Sequence, residues 1–404
     1  MDIFPINQVV PEHVPVELVR DFDVNNYAKS GSDFFEALFE LKQSSPPVFW
    51  TRHNGGHWMI TDAALAIHIG RSPELFSSRM TVVPKSLNPP GRGLNPVHLD
   101  PPEHTKYRQL LSLALSRKSV AELTPSVRNL AVELIEDLRV KGKCEFMADF
   151  AFKLPVIVFL RLVDLPVESR IDLLDLVSAL IHPGSDKTAL VRNMANYLAP
   201  FVRDRYMHPK ADLISWLGQR EVDGARMPED ELLSICTLLL IGGLDTVANT
   251  LGFFARFFAE YPEYRKQIRE NPSLVAGAVE ELLRRFPTVT SVAGRLCVAD
   301  TVLGDVNIKA GDMVMSPPAM QNFDDILYPD PLVVDFTRRV NNVGTFGQGP
   351  HRCAGANLAR SELAIFIQEW IARIPEFYVA GGEPPVFQPG FNISYSHLNL
   401  EWPI

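Results

Sequence analysis

The segment from Pro228 to Tyr261 constrains the fold more than any other. Pro228 stands at a favoured first helical position, and Glu229, Asp230 and Glu231 follow where carboxylates complement the helix dipole. Pro262 stops the run. The pattern predicts one unbroken helix, at ~1.5 Å per residue on the order of 50 Å long, enough to cross a whole molecule. Its most apolar run, Leu238 to Leu244, is interrupted by Gly242 and Gly243 and followed by Asp245. No apolar stretch approaches the ~20 residues a bilayer span needs, so the expectation is a buried helix around which the chain packs. The opening Met1-Asp2-Ile3-Phe4-Pro5 lacks the basic-then-apolar pattern of a secretion signal. A cytoplasmic protein without membrane attachment is expected.

From about Glu103 to Arg285 the periodicity is helical, with Leu110, Leu111, Leu113, Ala114 and Leu115 forming one stripe and Leu130, Val132, Leu134 and Leu138 another. Val48–Thr51 and Trp58–Ile60 read as a hairpin turning at Asn54-Gly55-Gly56. From Val83 to Pro102 six prolines and two glycines predict a long loop, of a length often used for binding. Val302 to Val314 and Phe377 to Trp402 read as short strands, and a helix is expected from about Ala354 to Ile374. The fold class is mainly α with small β-sheets. We read one domain over 1–404, a mixed β-rich portion about 1–100 and 287–404 with a helical portion about 101–286.

Asp and Glu exceed Lys and Arg by 48 to 39, a net charge of −9 without a basic block, which argues against a nucleic-acid partner. The four cysteines, Cys144, Cys236, Cys297 and Cys353, form no Cys-x-x-Cys pair, so neither a zinc cluster nor a disulfide framework is expected. Cys236 and Cys297 read as small core hydrophobes, and nothing around Cys144 suggests a role. Cys353 differs. It lies in Phe346-Gly347-Gln348-Gly349-Pro350-His351-Arg352-Cys353-Ala354-Gly355, whose glycines let backbone approach a flat object closely. Backbone N–H groups at the start of the following helix favour thiolate, and a thiolate there can bind a metal axially.

Two further motifs need explaining. Glu281 and Arg284 share one helix face, which alone describes an ordinary surface pair. Gly242 and Gly243 cost roughly 1 kcal/mol each relative to Ala inside a helix. Close approach of a ligand or close helix packing could offset that. Asp245 and Thr246 then place a carboxylate and a hydroxyl in an apolar helix.

The spacing Phe-x-x-Gly-x-x-x-Cys-x-Gly resembles the haem-binding signature of the cytochrome P450 haem-thiolate monooxygenases. The resemblance runs from about Phe76 to Trp402. It implies the cytochrome P450 fold, a long central helix over a haem with a proximal cysteine loop. Cys353 is then the iron's axial ligand, the haem is haem b, and O2 is co-substrate. Phe346, Gly347 and Gly355 become part of the haem loop. Glu281 and Arg284 become a buried pair buttressing that loop. Gly242 to Thr246 becomes the oxygen-binding groove, with Asp245 and Thr246 relaying protons by general acid chemistry. His104, Arg108, Arg295 and His351 become contacts for the haem propionates.

The runs Leu238 to Val247 and Glu280 to Phe286 are similar to the bacterial camphor hydroxylase subfamily. That likeness implies electrons from an iron–sulfur ferredoxin with a reductase upstream, a monomer, and hydroxylation of terpenoid-sized apolar molecules. Met80, Val82, Leu238, Ile241, Gly242, Thr246, Val289, Val292, Phe391 and Ile393 are the implied pocket wall. The subfamily's ketone-anchoring tyrosine is missing from Gly91 to Leu99, which points to a terpenoid or norisoprenoid, ionone- or camphor-like, other than camphor itself. His182 is read where a relative places an arginine near the relay aspartate. Arg71, Lys106, Arg108 and Arg352 are expected to form a basic patch for the ferredoxin. A non-catalytic haem ligand binder or sensor, and a peroxide-driven haem-thiolate enzyme, stay open as alternatives.

Overall fold

The computed structural model describes residues 9–25, 34–88, 93–166, 173, 176, 186–290, 294–381, 387–388 and 392–404. The long helix spans Glu229–Glu260, with Glu229, Asp230 and Glu231 in its first turn. Nineteen of its 32 residues are buried. By length and mean hydropathy it does reach the level of a membrane span, unlike the expectation. Packing accounts for its apolarity. Its first half is covered by Lys187–Met207, Leu213–Gly218 and Lys153–Leu162, and its second half enters the main core with Phe253, Phe254, Phe257 and Phe258.

The helical periodicity between 103 and 285 resolves into Glu103–Ala114, Arg117–Arg139, Lys153–Leu162, Lys187–Met207, Leu213–Gly218, the long helix, Pro262–Glu270 and Val275–Arg285, with a π-turn at Met147–Ala151. Two strand pieces interrupt it. Lys143–Glu145 pairs antiparallel with Asn399–Glu401 of the chain's end, and Glu221–Val222 forms a hairpin with Ala225–Arg226.

The principal sheet has six strands, in spatial order Val19–Arg20, Val48–Thr51, His57–Ile60, Met313–Met315, Gly294–Cys297 and Phe76–Ser77. The expected hairpin is its centre, with Trp50 opposite Trp58, and Asn54, Gly55 and Gly56 all at positive φ in the turn. The Val83–Pro102 segment, where described, holds one short 3-10 turn at Lys85–Leu87.

The cysteine helix is Ala356–Arg373, and it packs along Arg117–Arg139. Cys144, Cys236 and Cys297 are buried and unbridged, whereas Cys353 is exposed. The protein is thus a helical body with small sheets at its edges, as the sequence pattern predicts.

Candidate active site

The loop before Cys353 is shaped by glycines that cannot be replaced cheaply. Gly347 and Gly349 take φ of +69° and +66°. A Cβ on Gly349 would stand 1.9 Å from the carbonyl oxygen of Gly70, so the loop sits directly on the end of helix Ala63–Arg71. The Cys353 N–H donates to the Phe346 carbonyl at 2.7 Å, closing the loop. Phe346 is buried beneath Arg360, whose guanidinium lies 4.3 Å from its ring centroid. The Gly355 N–H and the charges of Arg108, Arg352 and Arg360 pull the Cys353 thiol pKa down, as expected of a helix start; although the residue keeps exposed surface, desolvation by the protein packed around it outweighs them and the net direction is up. A further positive charge beside Cys353 would favour its thiolate.

Glu281 and Arg284 are both fully buried, not a surface pair. Arg284 Nε and Nη2 each donate to the Glu281 carboxylate at 2.8 Å. No sequence pattern points to the rest of this cluster. Arg338 Nε donates to Glu281 Oε1 at 3.1 Å, as does the Asp335 N–H. Arg284 Nη1 donates to the carbonyls of Pro331 and Asn322. Asn322 Nδ2 returns a bond to the Arg284 carbonyl and another to Thr345 Oγ1. Thr345 Oγ1 donates to the Leu283 carbonyl at 2.6 Å. The pair is so wired to the residue preceding Phe346.

Four cationic or potentially cationic side chains converge elsewhere. The rings of His104 and His351 lie with centroids 4.1 Å apart, tilted by 44°. Burial, with Arg108 and Arg295 nearby, pulls His104 down to about 4. Burial, then Arg295, His104 and Arg108, pull His351 down to about 2. Arg295 is lowered to about 10, chiefly by burial. Asp100 opposes the shifts of His104 and Arg295, but its oxygens already accept from Ser77 Oγ and the Ser78 N–H. His104 Nδ1 and His351 Nε2 are buried without a hydrogen-bond partner. A cationic cluster with orphaned ring nitrogens is expensive unless an anion meets it.

On the long helix, a Cβ built on Gly242 or Gly243 meets no atom within 4 Å, so these glycines do not serve helix packing. Gly242 is exposed although it lies at the middle of a buried helix. Thr246 Oγ1 donates to the Gly242 carbonyl at 2.9 Å. Asp245 is buried, and Asn249 Nδ2 and Asn392 Nδ2 donate to its two oxygens. The two asparagines are partners the sequence did not reveal. His182 lies outside the described residues.

Met80, Val82, Leu238, Ile241 and Val289 keep part of their surface uncovered. Ile393, expected on the pocket wall, does not: it is fully buried in the main core, with its N–H on the Thr288 carbonyl. It follows Asn392, which forms an isolated antiparallel bridge with Val289. Val292 and Phe391 lie outside the described residues. Of the expected basic patch, Arg71 and Arg352 are exposed and Arg108 is half-buried. Lys106 instead pairs with Asp223 of the 221–226 hairpin.

A sequence model described as Cytochrome P450 matches residues 168–374. The solved structures of CYP101J2 and CYP101C1 superpose with TM-scores of 0.90 and 0.91, at 39% and 35% identity. Each match covers 98% of this chain and all of the other. The probable cytochrome P450 127A1 of Sinorhizobium fredii is 32% identical over 97% of both chains. The chain belongs to the cytochrome P450 monooxygenases, with its likeness directed toward the camphor-hydroxylase subfamily. Membership implies a haem iron and the use of O2. The residues present fit such a group: orphaned histidine nitrogens and arginines suit two carboxylates, a cysteine suits the metal, and the open glycine face suits a flat ligand.

Proposed function

We propose that this chain hydroxylates a small apolar terpenoid or norisoprenoid, using O2 and electrons from an iron–sulfur ferredoxin. One observation carries the site assignment: a cluster of His104, Arg108, Arg295 and His351 with unsatisfied buried nitrogens, adjoining the loop of an exposed cysteine. In this reading those four side chains would hold the propionates of a haem b, and Cys353 would supply the thiolate that binds its iron. A bound iron would be the positive charge that favours thiolate at Cys353. Haem iron, when bound, supplies the activation of O2 and the oxidation of an unactivated C–H bond.

The protein's own residues then do three things. Gly242 and Gly243 keep the helix face open where O2 and substrate must approach. Thr246 presents a hydroxyl there, while Asp245 receives protons from outside and passes them on through water. Its oxygens are fixed by Asn249 and Asn392, so the carboxylate is held in one orientation. Met80, Val82, Leu238, Ile241 and Val289 form an apolar wall that excludes water and favours a substrate with few polar groups. The likeness to CYP101J2 and CYP101C1 supports the terpenoid class and the ferredoxin. In this reading the enzyme is monomeric and cytoplasmic.

The test is a spectral titration of the haem-loaded protein with terpenoids and norisoprenoids, followed by turnover with ferredoxin, its reductase and NADH. A low-spin to high-spin shift and NADH consumption matched by hydroxylated product are expected. Entry of polar or charged ligands alone, or consumption without product, overturns the reading.

A further inference from the structure

Leu113 is 61% exposed, at the end of helix Glu103–Ala114. An isolated exposed leucine is unremarkable. This one has a particular setting. Its helix presents Thr105, Gln109, Ser112 and Leu113 to solvent, with no charge among them. Ser119 Oγ donates to the Leu113 carbonyl at 3.2 Å, which ties Leu113 to the first turn of helix Arg117–Arg139. Asn357 Nδ2 donates to the Leu115 carbonyl, which ties the same corner to the start of the cysteine helix. Leu113 therefore stands on the surface beside the Cys353 loop.

The charges nearest it are positive, with Glu122 a turn further along the next helix. Arg117 and Lys118 follow it and are exposed, Arg108 lies on its own helix, and Arg352 acts on Arg108 across the loop. Arg71 borders the same loop through the Gly70–Gly349 contact. Among the described residues none of these five makes an ion pair, in a chain whose net charge is −9. The neutral stripe ending in Leu113 is thus bordered by uncompensated positive charge.

We infer that Leu113 is the apolar anchor of the electron-donor interface, packing against an apolar spot on an acidic [2Fe–2S] ferredoxin while Arg71, Arg117, Lys118 and Arg352 steer it. The inference rests on the ferredoxin reading above and adds a division of labour. Exposed charges separated by water raise the rate of encounter and are screened by salt. A desolvated leucine at an interface slows dissociation and is indifferent to salt. Leu113, not the charges, then selects among ferredoxins of similar acidity.

The experiment uses the haem-loaded enzyme and a purified acidic [2Fe–2S] ferredoxin, with reduction followed by stopped flow under carbon monoxide. Leu113→Ala is expected to raise the ferredoxin concentration for half-maximal rate about tenfold, the loss of much of a buried leucine contact, with the salt slope unchanged. Arg117→Gln and Lys118→Gln are expected to flatten the salt slope. Dithionite reduction and the carbon monoxide spectrum stay as in the parent, which shows that the fold is intact. If the parent is reduced by the ferredoxin and Leu113→Ala matches it, the anchor is wrong and the ferredoxin reading stands. If dithionite reduces the parent and the ferredoxin does not, the ferredoxin reading falls and this inference with it.

Discussion

Glu281→Gln removes one charge from the most buried ion cluster in the described structure. Glu281 and Arg284 have no exposed side-chain surface, and Arg338 keeps 15%. The carboxylate accepts four hydrogen bonds, three of them from guanidinium groups. A glutamine can still accept at one oxygen, but its NH2 faces an Arg284 N–H, donor against donor. One charge-assisted bond is lost, worth about 1.5–3 kcal/mol, and Arg284 is left buried with its charge uncompensated. Together these place the cost at about 3–5 kcal/mol, a large share of the ~5–15 kcal/mol that holds a folded protein. Glu369 is the internal control. It too is bound by two arginines, Arg128 and Arg373, but their side chains are 38% and 28% exposed. Glu369→Gln is expected to cost at most about 1 kcal/mol. Urea unfolding of both variants, with the slope checked for constancy, measures the difference. The Glu281 variant should also lose part of the red-shifted Soret band of the reduced carbon monoxide complex, because Arg284 and Leu283 are wired to Thr345 beside the cysteine loop. Equal costs for the two glutamates, or a destabilised Glu281 variant whose spectrum is untouched, would refute the argument that burial gives this pair its structural role.

Gly242→Ala should stabilise the haem-free protein by up to about 1 kcal/mol, since the added methyl meets no protein atom and alanine favours helix. The same methyl fills the proposed groove, so thermal unfolding should rise while product formation falls; a fall in both would mean the glycine serves packing after all. His57 is fully buried and held down at about 3 by burial, so the folded protein resists its protonation while the unfolded chain takes a proton near 6.5. Its contribution to stability is present above about pH 6.5 and is lost as pH falls toward 3, about 2 kcal/mol by pH 5. His57→Phe should flatten the stability change between pH 7 and 5 by that amount, and an unchanged slope counts against it. Asp245→Asn should reduce product formation on the order of 100-fold and leave the carbon monoxide spectrum intact, as suits a proton carrier that does not hold the haem. Cys353→Ser should abolish the red shift of that band, and a retained shift would place the thiolate elsewhere.

What the sequence revealed and what it hid follow from range. The long helix was legible because its caps, its apolar run and its terminating proline are all local, as were the hairpin at Asn54-Gly55-Gly56 and the Cys353 loop, whose glycines answer a backbone constraint at their own positions. The pairing of Glu281 with Arg284 was legible as spacing but not as burial. Burial depends on Arg338 and Asp335, more than 50 residues onward, and no periodicity reports them. For the same reason Asn392 could not be assigned to Asp245 across 147 residues, nor Asp223 to Lys106, nor Lys143–Glu145 to the final strand. Lys106 shows how this misleads. Counted by charge it belonged to a basic patch, yet a turn with Asp223 and Gly224 at positive φ brings a carboxylate to it. Ile393 misleads in the opposite direction. Apolarity fits a pocket wall and a core equally, and only the Thr288 and Val289 contacts decide for the core. Residues whose role lies in their own backbone or helix turn can thus be read from the chain. Residues whose role is to be neutralised, covered or aimed by a distant segment cannot, and Leu113 is legible as a surface anchor only because the structure shows which charges around it stay unpaired.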